Sequence, residues 1–470
     1  MTVLDHAVLC LASEMRSHCV EEDSDAVARN PKVHSSQSSS TMLKTRKTWL
    51  WIAVLFTSSV LATSTTQSAP AKLRGVKLGI RSLLKIEQDY IAPLGADDSP
   101  LTKGTKADLY LQTGKKLEGI EINEVLLGKQ KNTLKILGIT LAKGGKQKIP
   151  ATTLAHIATE DRVFDVVQDP ATKSFVILDL ARRDELAQAR LARTGHSLWS
   201  EPTGEERTKE IDESKALFQK ARDLFPQQQF LLQETEFYLF FTDMPPDQIA
   251  GYIANLDTMY RQLCLAFGIL PDKNIWKGKC PVLAFSNSEM YHHFEATVMK
   301  NPNSQGTQGL HHGSSDGSVV ITVFAGKDPA YFAATLVHET AHGFVHRLRS
   351  NVHIVPWLNE GIAEWISGVA VPATTAVSRR QSDGIAFLRT NRTMGGFFQK
   401  KERLEPSDYG IASSLTEFML QTDPNLYRAF LMAIKDGYSL EEALKLTYEC
   451  TPVALMESFG NSIGVPDLQP

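Results

Sequence analysis

The run LVHETAHGFVHR, residues 336–347, constrains this chain more than any other stretch, because it sets His338 and His342 four residues apart with Glu339 between them. Asp328 followed by Pro329 is an N-cap with proline at the first helical position, so the sequence predicts a helix over residues 329–348. On such a helix positions i and i+4 lie one above the other, and the two imidazoles share a face. Two imidazoles at that spacing can bind one tetrahedral zinc, with Glu339 alongside to accept a proton from an activated water. The short pattern also arises by chance, so a third ligand decides its meaning.

Two third-ligand patterns can be tested. The metzincin pattern requires Gly three residues past the second His and another His three further on, and Val345 and Leu348 stand there instead. The other pattern requires a Glu on a following helix, and VPWLNEGIAEW supplies Glu360. His338-Glu339-x-x-His342 with Trp357-Leu358-Asn359-Glu360-Gly361 resembles the gluzincin zinc metallopeptidases of the thermolysin and aminopeptidase N superfamily. The resemblance implies a thermolysin-like domain in which His338, His342 and Glu360 hold one catalytic Zn2+ and Glu339 is the general base. It further implies that Glu364, one turn past Glu360, hydrogen-bonds a ligand histidine, and that Tyr409 stabilises the oxyanion. Residues 343–359 separate the second and third ligands, one residue fewer than the family commonly shows. The chain lacks the Gly-rich exopeptidase motif that the aminopeptidase N family carries ahead of its site, so internal peptide bonds are the expected targets.

Other histidines are weaker candidates. His346 has drifted by about 80° from His338 around the helix, which turns it aside. His353 falls in the loop between the two ligand segments. The pairs His292-His293 and His311-His312 stand in polar surroundings, and NPNSQGTQGLHHGSSDGS reads as a flexible rim. GSVVITVFAG, just ahead of the ligand helix, is expected to supply the edge strand that pairs with an extended substrate over residues 319–324.

The whole chain is expected to be α+β. Residues 72–182 alternate short strand-like runs with Thr-Gly, Gly-Gly and Pro breaks, which suggests a small barrel of SH3-like type. RVFDVVQDPATKSFVILDL is a hairpin candidate. Residues 183–225 are charged and helix-prone and read as a connector, and residues 226–470 form the gluzincin-like domain. FLLQETEFYLFFTDM reads as strand, and everything after Asp328 reads as helical.

The N-terminus carries targeting information. Lys44, Arg46 and Lys47 precede an uncharged run over 49–62, and small residues follow to Ala69. Residues 42–69 therefore read as a secretory signal peptide cleaved near Ala69, with a retained signal anchor as the alternative. Residues 1–41 are a disordered extension or lie ahead of the true start. The expectation is a secreted, periplasmic or cell-envelope protein that meets the membrane only if the signal segment stays attached. Fifty basic against fifty-three acidic residues give a net charge of -3, which argues against nucleic acid as a partner and leaves a peptide or protein substrate. After export Cys264, Cys280 and Cys450 remain, enough for one disulfide or for three free thiols.

Two other functions are compatible with the same residues: a zinc-retaining binding module, and a cell-envelope interaction protein built on a peptidase-like scaffold. Neither requires the general base that Glu339 provides.

Overall fold

Period-two patterning builds the first half of the computed structural model, which describes residues 78–95, 97–399 and 404–470. The expected signal segment and the extension ahead of it lie outside the described residues. Seven strands, β1 (Lys106–Leu111), β2 (Lys116–Leu127), β3 (Thr133–Thr140), β4 (Lys146–Pro150), β5 (Leu154–Thr159), β6 (Val163–Gln168) and β7 (Phe175–Asp179), run in the order β2-β1-β5-β6-β7-β3-β4. An additional β2–β3 pairing closes six of them into a barrel, with β4 attached to β3. In β2, Ile120 and Ile122 point inward while Glu121 faces solvent, as a half-buried strand requires. The β2 register shifts between Ile122 and Glu124. Gly138 lies opposite, where a Cβ would come within 2.7 Å of Asn123 Oδ1. The expected hairpin over residues 163–179 is present as β6 and β7.

The charged connector forms two helices, α2 (Leu180–Leu191) and α3 (Gly204–Leu224), after a single turn, α1 (Leu83–Ile86), that precedes the barrel. A second sheet follows, composed of β8 (Leu231–Glu234), β9 (Tyr238–Thr242), β10 (Cys280–Phe285), β11 (Gly309–Gly313) and β12 (Val319–Phe324), in the order β11-β12-β10-β9-β8. The stretch FLLQETEFYLFFTDM is thus two antiparallel strands rather than one. The central strands β9, β10 and β12 pair in parallel, and β9 and β10 are buried along their whole length. Continuous apolar runs suit them because helices cover both faces. α4 (Pro246–Ala266) and α6 (Pro329–Arg347) cover one face, while α3 and α5 (Ser288–Thr297) cover the other.

Beyond β12 the described chain is helical, as expected, through α7 (Pro356–Ala370), α8 (Ala376–Asn391), α9 (Pro406–Thr422), α10 (Pro424–Lys435), α11 (Leu440–Tyr448) and α12 (Pro452–Ser462). The Asp328 cap acts as read, its side chain accepting from the amides of Ala330 and Tyr331; Asp423 accepts likewise from those of Asn425 and Leu426, and Ser439 with Glu442 forms a capping box. Cys264, Cys280 and Cys450 are free thiols. Among the described residues no helix is long and apolar enough to cross a membrane.

The barrel is fastened to the helical region by buried charge. Asp165 of β6 pairs with Arg428 of α10, and Arg183 of α2 donates to Asp436 at 3.0 Å. His156 is fully buried 3.5 Å from Asp165. Burial holds its pKa down, so it packs there as a neutral ring.

Two expectations need correction. Val319–Phe324 is an interior strand, bonded to β10 on one side and β11 on the other, and the edge strand is Gly309–Gly313. His311 and His312 therefore belong to a strand, not to a flexible rim. Tertiary contact overrides the Gly- and Ser-rich composition of this segment: β11 lies against α6, with the glycines at positions 309 and 313 where side chains would clash. A Cβ at Gly309 would come within 2.8 Å of Glu339 Cγ, and one at Gly313 within 2.9 Å of the His346 ring. His292 and His293 sit in α5.

Candidate metal centre

The ligand helix α6 places His338 and His342 on successive turns, and α7 brings Glu360 across to them. The three side chains meet at one point. His338 Nε2 lies 3.0 Å from His342 Nε2, and Glu360 Oε2 lies 3.3 Å from the first and 3.4 Å from the second. A tetrahedral zinc with bonds of about 2.0–2.1 Å sets its ligand atoms about 3.3 Å apart. Glu360 Oε2 is also buried and has no hydrogen-bond donor, and a cation at this point would satisfy it. The residues present therefore fit one zinc ion, and they are a group among the described residues able to hold a metal.

Electrostatics agree with the geometry. Burial alone would lower the His342 pKa, but the Glu360 carboxylate outweighs it and pushes the value up to about 9. Burial likewise opposes ionisation of Glu360, yet the two imidazoles hold its carboxyl well below the usual range. Glu339 is half-buried beside the triad without joining it. Desolvation raises its pKa, and the two ligand histidines oppose that rise.

Glu364 reaches the outer nitrogen of the first ligand: its Oε1 lies 3.5 Å from His338 Nδ1. Its other oxygen accepts from Arg380 Nε at 2.9 Å and Nη2 at 2.8 Å. Arg380 comes from α8, and no local pattern in the sequence announces it. This bridge fixes the carboxylate that orients the imidazole.

The loop between α6 and α7 contains one left-handed residue, Arg349, at φ 63°. Buried bonds hold it in place: Ser350 Oγ donates to Lys435 O, and Lys435 Nζ donates to Val352 O at 2.7 Å. Lys435 is 1 % exposed and has no carboxylate partner among the described residues. Burial, reinforced by the Arg347 charge, pushes its pKa down to about 7 from an ordinary 10.5. The folded chain therefore prefers the neutral amine while the unfolded chain stays protonated to higher pH. Stability should rise with pH between about 7 and 10.5. Lys435→Met should flatten that rise, which Tm values measured across the window would show. An unchanged slope would remove Lys435 as its source.

Gly361, immediately after the third ligand, is explained by packing. A Cβ there would lie 2.4 Å from Thr416 Oγ1 and 2.7 Å from Ala412 O of α9. Gly361→Ala should destabilise the chain by about 1–3 kcal/mol through overpacking. Because α7 would have to shift, the variant should also hold zinc less tightly. Wild-type denaturant midpoint and wild-type zinc content together would show that this contact does not position Glu360.

None of the remaining candidates belongs to the three-residue group. His346 accepts from or donates to no ligand and instead bonds Ser314 O through Nε2 at 3.0 Å. His353 lies against the His346 ring at 6.0 Å. Tyr409 sits in the first turn of α9, half-buried against the core. On β11 the two histidines diverge. His311 faces α6, its ring centroid 6.1 Å from that of His342, and His312 faces the buried Glu295, 3.0 Å away. Glu295 also accepts from Thr322 at 2.6 Å, so it pins the edge strand to its neighbour. Alternation along a strand was the signal for this arrangement, and the glycines around GLHHG obscured it.

No protein-family model matches this chain, and no curated protein matches it in sequence.

Proposed function

We propose that the chain is an exported zinc metallopeptidase of gluzincin type that cleaves internal peptide bonds, with a thermolysin-like region over residues 226–470. The observation that carries this reading is the position of Glu339. Its carboxylate stands beside the His338–His342–Glu360 triad but outside it, and Gly309 of the edge strand packs directly against it. Such a carboxylate adds nothing to metal retention, whereas proton transfer requires it.

A zinc ion held by the triad would supply Lewis acidity, polarising a carbonyl and making a water more acidic. Glu339 takes the proton of the attacking water and passes it to the leaving amine. Its raised pKa brings it nearer to neutrality, which favours a base that must also act as an acid. His338 is kept oriented by Glu364, which Arg380 holds in turn. β11 has β12 on one side only, and its outer backbone groups offer a ladder to an extended peptide passing Glu339. Tyr409 is assigned to the oxyanion on the family resemblance.

Hydrolysis of a broad peptide library by the purified chain tests the proposal. Cleavage should stop when a chelator removes the metal and return when zinc is restored. Cleavage that persists in metal-free protein would refute it, and a chain that binds zinc but cleaves nothing in the library would instead be a zinc-retaining binding protein.

A further inference from the structure

A cavity of about 490 Å3 lies where the barrel, the connector and the C-terminal helices meet, away from the triad. Its charges are partly sorted by depth, with the cations Arg162 and Lys273 exposed at the rim. The acidic residues of its lining, Glu160, Asp161, Asp184 and Glu201, are all exposed and lie toward solvent. The inner lining carries four guanidinium groups, from Arg183, Arg347, Arg349 and Arg428. Three carboxylates serve them: the buried Asp436 takes Arg183 and Arg349, the buried Asp165 takes Arg428, and Asp184 of the rim also takes Arg349 at 2.8 Å, leaving Nη2 as the free end of that guanidinium. The buried Glu87 lies near Arg183 and Arg428; desolvation raises its pKa and the two guanidinium groups oppose that rise.

Arg347 is left over. It is 4 % exposed, and no carboxylate lies within ion-pair distance among the described residues. It donates through Nε to Ile275 O at 2.8 Å and stacks on the Trp199 ring at 4.7 Å. Arg349 in turn keeps Nη2 buried without an acceptor. A buried cation without an anion and a buried donor without an acceptor are both costly, and both residues line the same cavity. Burial also pushes the Arg347 pKa down to about 10, outweighing the more distant Glu210 and Asp316 carboxylates, which act to raise it. The rest of the inner wall is apolar, including Trp199, Phe267 and Leu348.

We propose that this cavity binds a small organic anion, with its carboxylate or phosphate head between Arg347 and Arg349 and its apolar body against Trp199, Phe267 and Leu348. The guanidinium fork matches either head group bidentately, and the volume falls in the range of small-molecule pockets. The inference does not rest on the peptidase reading.

Titration calorimetry on the full chain tests it with three probes: 3-phenylpropionate, phenyl phosphate and the neutral 3-phenylpropanol. At least one anion should bind saturably and more weakly as salt rises, while the alcohol should not bind. The order of the two anions identifies the preferred head group. Arg347→Gln should lower the affinity by about tenfold or more. Ser200→Trp, which adds bulk at the cavity's exposed wall and leaves every arginine in place, should do the same and decides the matter if Arg347→Gln fails to fold. Zinc content should stay at wild type in both variants. Absence of binding by both anions up to about 10 mM, equal binding of the alcohol, or full affinity in the folded variants would overturn the proposal.

Discussion

Glu339→Gln should lower peptide hydrolysis by roughly 10²–10⁴-fold, the range that general-base catalysis supplies. The amide occupies nearly the same volume as the carboxylate but cannot accept the water's proton. Glu339 is not among the three ligands, so zinc content should remain that of the wild type. Stability should hold or rise slightly, because the substitution removes an ionisable group whose burial opposes ionisation. Wild-type and variant proteins should be assayed side by side on one peptide library, with zinc measured on both. Equal cleavage by the two would sink the mechanism, and a matching loss of zinc would recast Glu339 as a ligand.

Glu360→Gln should release the metal. It replaces the one anionic ligand, whose Oε2 sits 3.3 Å and 3.4 Å from the two imidazole nitrogens, with a neutral and weaker donor. Zinc affinity should fall by more than the roughly 10–100-fold that the loss of a ligand's hydrogen-bonding partner costs. Glu364→Gln should show only that smaller effect, because it acts through His338 Nδ1. The proton that Glu360 stabilises on His342 should vanish as well, so the His342 pKa of the metal-free variant should drop from about 9. Competition between zinc and that proton should make wild-type affinity rise with pH up to about 9 and flatten in Glu360→Gln. Titration with a chromophoric chelator at several pH values reads all three effects. If Glu360→Gln kept full affinity while Glu364→Gln lost the metal, the third ligand would be Glu364.

The shared face of His338 and His342 was legible in the sequence because it is local, whereas Glu360 was found through the resemblance carried by Trp357-Leu358-Asn359-Glu360-Gly361. Spacing four along a helix puts His338 and His342 on one face whatever surrounds them, and Asp328-Pro329 starts that helix without help from the rest of the fold. Short strand-like runs broken by Thr-Gly, Gly-Gly and Pro likewise announced a small barrel over residues 72–182, and FLLQETEFYLFFTDM announced strand where β8 and β9 form. None of these readings needs a long-range contact.

What surrounds the triad was decided by tertiary structure. Gly309–Gly313 is an edge strand although its composition reads as a loop. Its glycines are needed because α6 passes within contact distance of them, and that approach has no local sequence signature. Arg380 reaches Glu364 from a later helix, and Lys435 braces the ligand loop from the end of α10. The cavity's spare arginine is visible only once Asp165 and Asp436 are seen to be taken by other residues. A sequence on its own determines which side chains can share a helix or strand face, because backbone periodicity is local. Which faces meet, and which charges are left without partners when they do, depends on packing between segments hundreds of residues apart, as with Asp165 and Arg428 or Arg183 and Asp436.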